Sequence, residues 1–369
     1  MFSGLSKLLD KAFVLGFFLP ALIAIFGFAF ANRDIDFFNH WLSAAISGNK
    51  DFGNLATFLG AVWVFAVSLM ALNNSTYRLL EGYIWPIKRK SAQRNQQRLR
   101  KVQRGLIRQY DTEYETAKSE WARIVAKAPE SEAAIEAERK QSQCYQKFLK
   151  ERESSALRYP SDRDDVLSTR FGNVLRSFEL YSTDVYSAET IHIWPRLLAV
   201  IPHDYQSLMA DARSTVDFLV SLVALASFTS IFTVGRALWL FALGSLISNP
   251  VIVQLLVSAL VAGLVAIGCY GMAISAAGRW GNYVKGAFDL YLPALAKALG
   301  YKLPRTPDEQ RDFWDQWSSQ FRFHDRVDAT GWEPVPTTTE REPKKIDRDD
   351  AEETENEGES EEEATDDAD

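Results

Sequence analysis

Two apolar runs, Phe218–Val234 and Val251–Ala277, contain no Asp, Glu, Lys or Arg. Each meets or approaches the ~20 apolar residues with which a helix crosses ~30 Å of hydrocarbon. A helix of a soluble core keeps a polar stripe for water, and neither run has one. Arg236, Asn249 and Pro250 mark the break between them. These runs make the chain an integral membrane protein. The expected fold is all-α: a four-span transmembrane bundle, a cytoplasmic helical domain containing an αα-hairpin, and a disordered acidic C-terminal tail.

The other two spans lie near the N-terminus. Ala12–Ala31 follows Lys7 and Lys11, and Ala29-Phe30-Ala31 resembles a signal-peptidase site. At ~20 residues the run exceeds the ~7–15 of a signal h-region, so it reads as a retained helix. Pro20 within it is tolerable where a neighbouring helix satisfies the carbonyl that proline leaves free. A short outer loop with Phe37, Phe38 and Trp41 leads to the second span, Phe52–Leu72. There Gly53, Thr57 and Ala61, and again Ala56 and Gly60, fall four apart, a spacing that lets helices approach closely. The same holds for Ala259 with Gly263 and for Gly271 with Ser275 in span four.

Charge sets the orientation. Lys88, Arg89, Lys90, Arg94, Arg98, Arg100, Lys101, Arg104 and Arg108 follow span two with no acid between Ile84 and Tyr110, and Arg279 and Lys285 follow span four. The outer loops offer only Arg33, Lys50 and Arg236. Positive charge stays inside, so both termini and the middle segment are expected in the cytoplasm. Beside a span, a basic run attracts anionic headgroups at about 1 kcal/mol per residue. Lys88, Arg89, Lys90, Arg94, Arg98, Arg100 and Lys101 are therefore read as membrane-surface residues, and no nucleic acid is expected. The lipid bilayer is the expected partner; a homo-oligomer and a cytoplasmic protein partner both fit the pattern.

Between the span pairs, Leu99, Val102, Leu106, Tyr110, Tyr114, Ala117, Trp121 and Ile124 step by three or four, giving one apolar stripe. Pro129 ends it, and Ser131 can cap a second helix carrying Ala134, Ala137, Cys144, Tyr145 and Phe148. An antiparallel hairpin of coiled-coil type is the economical arrangement. Tyr159–Asp165 is a turn, and Leu167–Tyr181 reads as a further helix. Ile191–Leu198 is too short to span and suits the membrane surface or the cleft between domain and bundle. Asp204 begins a helix that runs into span three. Ala237–Ile247 is expected as a separate outer or re-entrant piece, because extending span three would bury Arg236. Trp280–Leu299 and Asp308–Phe323 are amphipathic helices. From Gly331 onward Pro, Thr and acids dominate; residues 340–369 carry 16 acids and 4 bases, so the net −7 hides a basic remainder. Such composition buries too little apolar area to offset chain entropy. The divisions are about 1–84, 85–213, 214–278, 279–330 and 331–369, with spans at about 12–31, 52–72, 217–235 and 251–277.

Thr169–Arg176, Ile193-Trp194-Pro195-Arg196-Leu197 and Ala287–Tyr291 resemble an uncharacterised family of bacterial multi-pass membrane proteins. The resemblance covers span one to Phe323 and omits the acidic tail. It implies a bacterial plasma (inner) membrane location and the helical layout. That family has no assigned activity, so it supplies no catalytic residue.

Chemistry is sparsely marked. His40, His192, His203 and His324 have no metal-ligand spacing, and no phosphate-binding loop, dinucleotide fingerprint or nucleophile elbow occurs. Cys144 and Cys269 lie in unlike settings, so neither a disulfide framework nor a zinc site follows. No cofactor, metal or catalytic residue is implied. Arg170, Asn173, Arg176 and Arg196 form the candidate anion or headgroup site, since arginine forks suit phosphate; pairing with nearby acids is the alternative. No span carries a mid-membrane charge, which argues against ion-coupled transport. Three functions stay open. The first is a non-enzymatic scaffold or sensor acting through the cytoplasmic helices. The second is an oligomeric channel or membrane-perturbing effector, with Ser221, Ser227, Thr229, Ser230, Ser258 and Ser275 able to line a pore. The third is a lipid-directed enzyme.

Overall fold

A computed structural model describes residues 11–38, 52–84, 87, 89–244 and 249–335, with side chains in the second segment from Phe58 onward. Ten helices follow in chain order among them: α1 Lys11–Ala31, α2 Phe52–Glu81, α3 Lys90–Val125, α4 Glu132–Arg158 and α5 Arg170–Glu179, then α6 Tyr181–Tyr186, α7 Thr190–Leu198, α8 His203–Ala242, α9 Pro250–Ala298 and α10 Pro307–Phe323. The expected Ser131 cap is in place, and α5 and α9 are also capped by side chains. Ser131 Oγ accepts from the Ala134 amide at 3.2 Å, and Thr169 Oγ1 from the Gly172 amide at 2.9 Å. Asn249 does the same for Val251 at 3.0 Å, with Pro250 at the first helical position, where its missing N–H costs nothing.

Helices α1, α2, α8 and α9 are long and apolar enough to cross a membrane, and the chain is a multi-pass helical membrane protein. Ile231 and Ile267 are more than 70% exposed, which suits lipid and would be costly in water. Phe13, Phe17 and Ala21 of α1 pack on Phe58, Val62 and Ala66 of α2, each set stepping along one helix face. Two polar clasps bracket the bundle. At one end Asp217 accepts from Tyr77 Oη at 2.8 Å and Asn73 Nδ2 at 3.1 Å. At the other, Arg236 donates to Asn32 Oδ1 at 2.8 Å and pairs through both its terminal nitrogens with Asp34. From Asp217 to Arg236 an α-helix rises about 28 Å, one hydrocarbon thickness.

That second clasp corrects the reading of span three. Helix α8 runs unbroken to Ala242, so residues 237–242 are not a separate piece; 245–248 lie outside the described residues. Arg236 is tolerated because it sits level with the end of α1, where Asp34 and Asn32 meet its guanidinium. Pro20 is accommodated as expected. It removes the N–H that would serve the Gly16 carbonyl four residues back. A π turn at Val14–Phe18 widens the helix there, and Ser221 Oγ of α8 donates to Gly16 O at 3.0 Å. The small-residue spacing of span two falls partly on side chains outside the described residues. In span four Ala259 and Gly263 face α8, where Ser230 Oγ donates to Ala259 O at 2.9 Å, whereas Gly271 has open space beside it.

The region outside the spans is built on the spans themselves. Helices α8, 40 residues, and α9, 49 residues, extend well past the bundle, and the main core forms around their extensions. Phe171, Val174, Leu175 and Phe178 of α5 enter it, with Phe313 and Trp314 of α10. Gly281 of α9 is what admits Phe178, since a Cβ there would collide with the ring. Helix α7 corrects another expectation. Ile193 and Leu197 are fully buried, and Trp194 packs on Phe288 at 5.7 Å, so α7 is a core element and not a membrane-surface segment. The chain after Gly331 also differs from expectation. Val335 N donates to Gly300 O at 2.8 Å, and Trp332 lodges against Phe313 and Tyr301, enough apolar contact to hold 331–335 to the domain. The acidic tail beyond lies outside the described residues.

Helices α3 and α4 form the anticipated hairpin, joined by Tyr114 on Tyr145 at 5.0 Å and by the Lys140–Glu120 pair at 2.9 Å. Its buried face is not the apolar stripe throughout. Near the membrane, Leu99, Val102 and Leu106 are exposed, while Gln96, Arg100 and Gln103 turn inward. Polar partners explain this: Gln103 donates to Glu151 at 2.9 Å, Gln96 accepts from Tyr159 Oη at 3.4 Å, and Arg100 reaches the Ser161 carbonyl.

Candidate anion site at the foot of the hairpin

On α3, Arg100, Arg104 and Arg108 recur every four residues, which places them along one side of the helix. The turn after α4 crosses this side, and the Ser161 carbonyl accepts from Arg100 and, at 2.9 Å, from Arg104. Arg152 projects from α4 and Lys285 from the extension of α9. Together the five cations line an open groove of about 670 Å³ between the hairpin and the domain core, with Arg104, Arg108 and Arg152 exposed to solvent. Ser155, Ser161, Tyr159 and Tyr181 add polar groups to its wall, and Ile107 and Val185 add apolar ones.

The charge in this cavity is not balanced. Asp184 is the carboxylate on its wall. Among the described residues no Asp or Glu lies within ion-pair distance of any of the five cations. Asp162, in the same turn, accepts from the Asp164 amide at 3.0 Å and acts on Arg100 and Arg104 through its charge without forming an ion pair. Asp289, one helical turn from Lys285, accepts from Tyr181 and Tyr186 at 2.9 and 2.8 Å. Burial lowers the Lys285 pKa, with Asp289 acting the other way. Burial, then the neighbouring Arg104 charge, lowers that of Arg100. Like charges four apart on a helix are mutually destabilising, so the row costs the fold about 0.2–0.5 kcal/mol per pair.

The residues singled out from sequence are dispersed. Asn173 is fully buried; its Oδ1 accepts from Leu167 N at 2.6 Å and its Nδ2 donates to Leu167 O at 3.2 Å. Arg176 pairs with Asp165 at 3.0 Å and Glu179 at 3.7 Å. Arg196 lies on α7, bonded to His192 O at 2.7 Å with its guanidinium 3.7 Å from the centre of the Phe321 ring. Arg170 is exposed at the start of α5. These four do not converge. Of the basic run, Arg89, Lys90, Arg94, Arg98 and Lys101 are exposed, Lys88 lies outside the described residues, and Arg100 is buried in the cavity wall rather than at a membrane surface. His192 pairs with Glu189 at 3.5 Å and His203 opens α8. Among the described residues no metal-binding group of His, Cys, Asp or Glu occurs. Arg104, Arg108, Arg152 and Lys285 were not in the sequence-based site. The one signal for them was the four-residue recurrence of Arg100, Arg104 and Arg108; Arg152 and Lys285 join only through the fold.

No protein-family model, curated protein or solved structure matches the chain.

Proposed function

We propose that the protein is a non-enzymatic scaffold or sensor in a bacterial plasma membrane, with both termini in the cytoplasm, acting through the helical domain mounted on α8 and α9. The observation that carries this reading is the continuity of those two helices. They run without a break from lipid-exposed segments into the domain core, so a rearrangement of the domain is felt in the spans. A domain tethered by loops would not transmit it. Arg176 and Arg196, which would serve chemistry on a lipid, are engaged inside the fold. An oligomeric channel draws less support, because Ser221 and Ser230 donate to carbonyls of neighbouring helices.

The surface that meets the leaflet is the first half of α3. It presents Lys90, Arg94, Arg98 and Lys101 beside the exposed Leu99, Val102 and Leu106, a combination suited to anionic headgroups. Hydrogen exchange of the protein in phosphatidylcholine nanodiscs, with and without phosphatidylglycerol, tests this. Residues 90–106 should exchange more slowly when the anionic lipid is present. Equal exchange in both would remove the leaflet from the proposal.

A further inference from the structure

We infer that the cavity between the α3–α4 hairpin and α9 binds a small anion carrying clustered phosphate groups, with Arg104, Arg108, Arg152 and Lys285 as its ligands and Arg100 as a fixed anchor. A solvated basic helix face is the ordinary explanation for Arg104 and Arg108. It does not account for Arg152 from α4 and Lys285 from α9, which bring charge to the same cavity from two further elements. Nor does it account for the burial of Arg100, 3% exposed, against a carbonyl rather than a carboxylate. Five cations face Asp184 on the wall, with Asp162 and Asp289 acting from nearby without an ion pair, so positive charge is in excess and suits several negative charges at short spacing. Guanidinium forks bind phosphate oxygens in pairs, and the Ser155 hydroxyl can donate to another. The groove, about 670 Å³ and open to solvent, has room for a small polyphosphate.

The position admits two sources of such a ligand. Lys285 lies eight residues beyond Ala277 on α9, about 12 Å along the helix from the hydrocarbon edge. The headgroup layer is about 5–7 Å deep on each side, so both a projecting phosphorylated headgroup and a free polyphosphate can reach the site. This inference deepens the sensor reading and rests on it only in taking the helical domain as water-facing.

The test is titration of the full chain, in uncharged detergent, with inorganic tripolyphosphate. One saturable site per chain is expected. Affinity should fall about tenfold or more in Lys285→Gln and in the Arg104→Gln/Arg108→Gln pair, as loss of a charge-assisted contact implies. Lys285→Arg, which keeps charge and bulk, should retain binding, and Arg94→Gln/Arg98→Gln on the exposed part of α3 should not change it. Absence of saturable binding, or equal loss in the Arg94→Gln/Arg98→Gln control, overturns the assignment. A second arm uses phosphatidylcholine nanodiscs containing phosphatidylinositol bisphosphate. If that lipid blocks tripolyphosphate binding, the source is a headgroup; if it does not, the source is a free anion, and either result supports the site. Because the detergent arm contains no anionic lipid, its failure is separate from failure of the α3 surface to meet the leaflet.

Discussion

Asn173 is a buried polar side chain whose amide oxygen and nitrogen both bond to one neighbouring residue. Its amide closes both backbone groups of Leu167, tying the start of α5 to the loop before it. Asn173→Leu would keep the volume and leave the part-buried N–H and C=O of Leu167 without this partner, a loss of about 1–3 kcal/mol. Denaturation in detergent should show it as a clearly lowered midpoint; an unchanged midpoint would mean the loop finds other partners. From the sequence, Asn173 stands with Arg170 and Arg176 as one polar group on a helix, and nothing local says which way that group faces. The answer comes from afar: Gly172 lets α5 close onto the Glu81 carbonyl of α2, and Gly281 of α9 admits Phe178. Lys285 carries the opposite lesson, a residue that serves only orientation in the sequence and becomes part of the site through the fold. Its lowered pKa means the ammonium loses its proton at a lower pH than an ordinary lysine. Tripolyphosphate affinity is therefore full below that pKa and declines as pH rises through it. In Lys285→Arg the decline should move to higher pH. Titrations at a series of pH values compare the two proteins, and coincident profiles would show that Lys285 does not contact the anion.

Helices that cross lipid were the most readable elements, because lipid solvates all sides alike and composition alone marks them. Span ends were less readable. Whether α8 stops before Arg236 depends on Asp34, about two hundred positions away, and the hydrocarbon pattern holds no record of that pairing. The buried face of α3 was misread for a related reason: Gln96, Arg100 and Gln103 go inward for polar partners that only the folded chain supplies. The π turn of α1 gives a quantitative check of element-level reasoning. Ser221→Ala removes the hydroxyl that serves Gly16 O, a loss of about 0.5–1.5 kcal/mol. In a Pro20→Ala background the backbone N–H of residue 20 is restored and can serve that carbonyl itself. The same Ser221→Ala change should then cost less, and a double-mutant cycle of unfolding free energies in detergent measures the difference. Additive effects would show that the hydroxyl does not compensate for the proline.

At the scale of the whole molecule, the two clasps fix which groups share a side. Lys11 pairs with Asp211 at 2.8 Å, at the end of the bundle where Asp217 holds Tyr77 and where the helical domain begins. Arg236, Asp34 and Gln254 meet at the far end, with Gln254 accepting from Arg33 at 3.2 Å. Because α1 and α8 run in the same direction between these layers, and α9 returns beside α8, the chain cannot present its domain on one side and the residue-11 end of α1 on the other. The domain's end carries Arg78, Lys90, Arg94, Arg98, Lys101 and Arg279. The opposite end has Arg33 and Arg236 set against Asp34 and Asp36. The proposed cytoplasmic placement of the domain rests on this asymmetry, since positive charge is retained inside. Single cysteines at two positions decide the matter, in a background with Cys144→Ser and Cys269→Ser. Asp36→Cys should react with a membrane-impermeant maleimide on intact cells, and Lys101→Cys only after the membrane is opened. The reverse pattern would invert the protein and move the basic face of α3 away from the anionic inner leaflet. Labelling of both positions on intact cells would break the pairing of domain and spans altogether, since no arrangement of four crossing helices with these clasps exposes both.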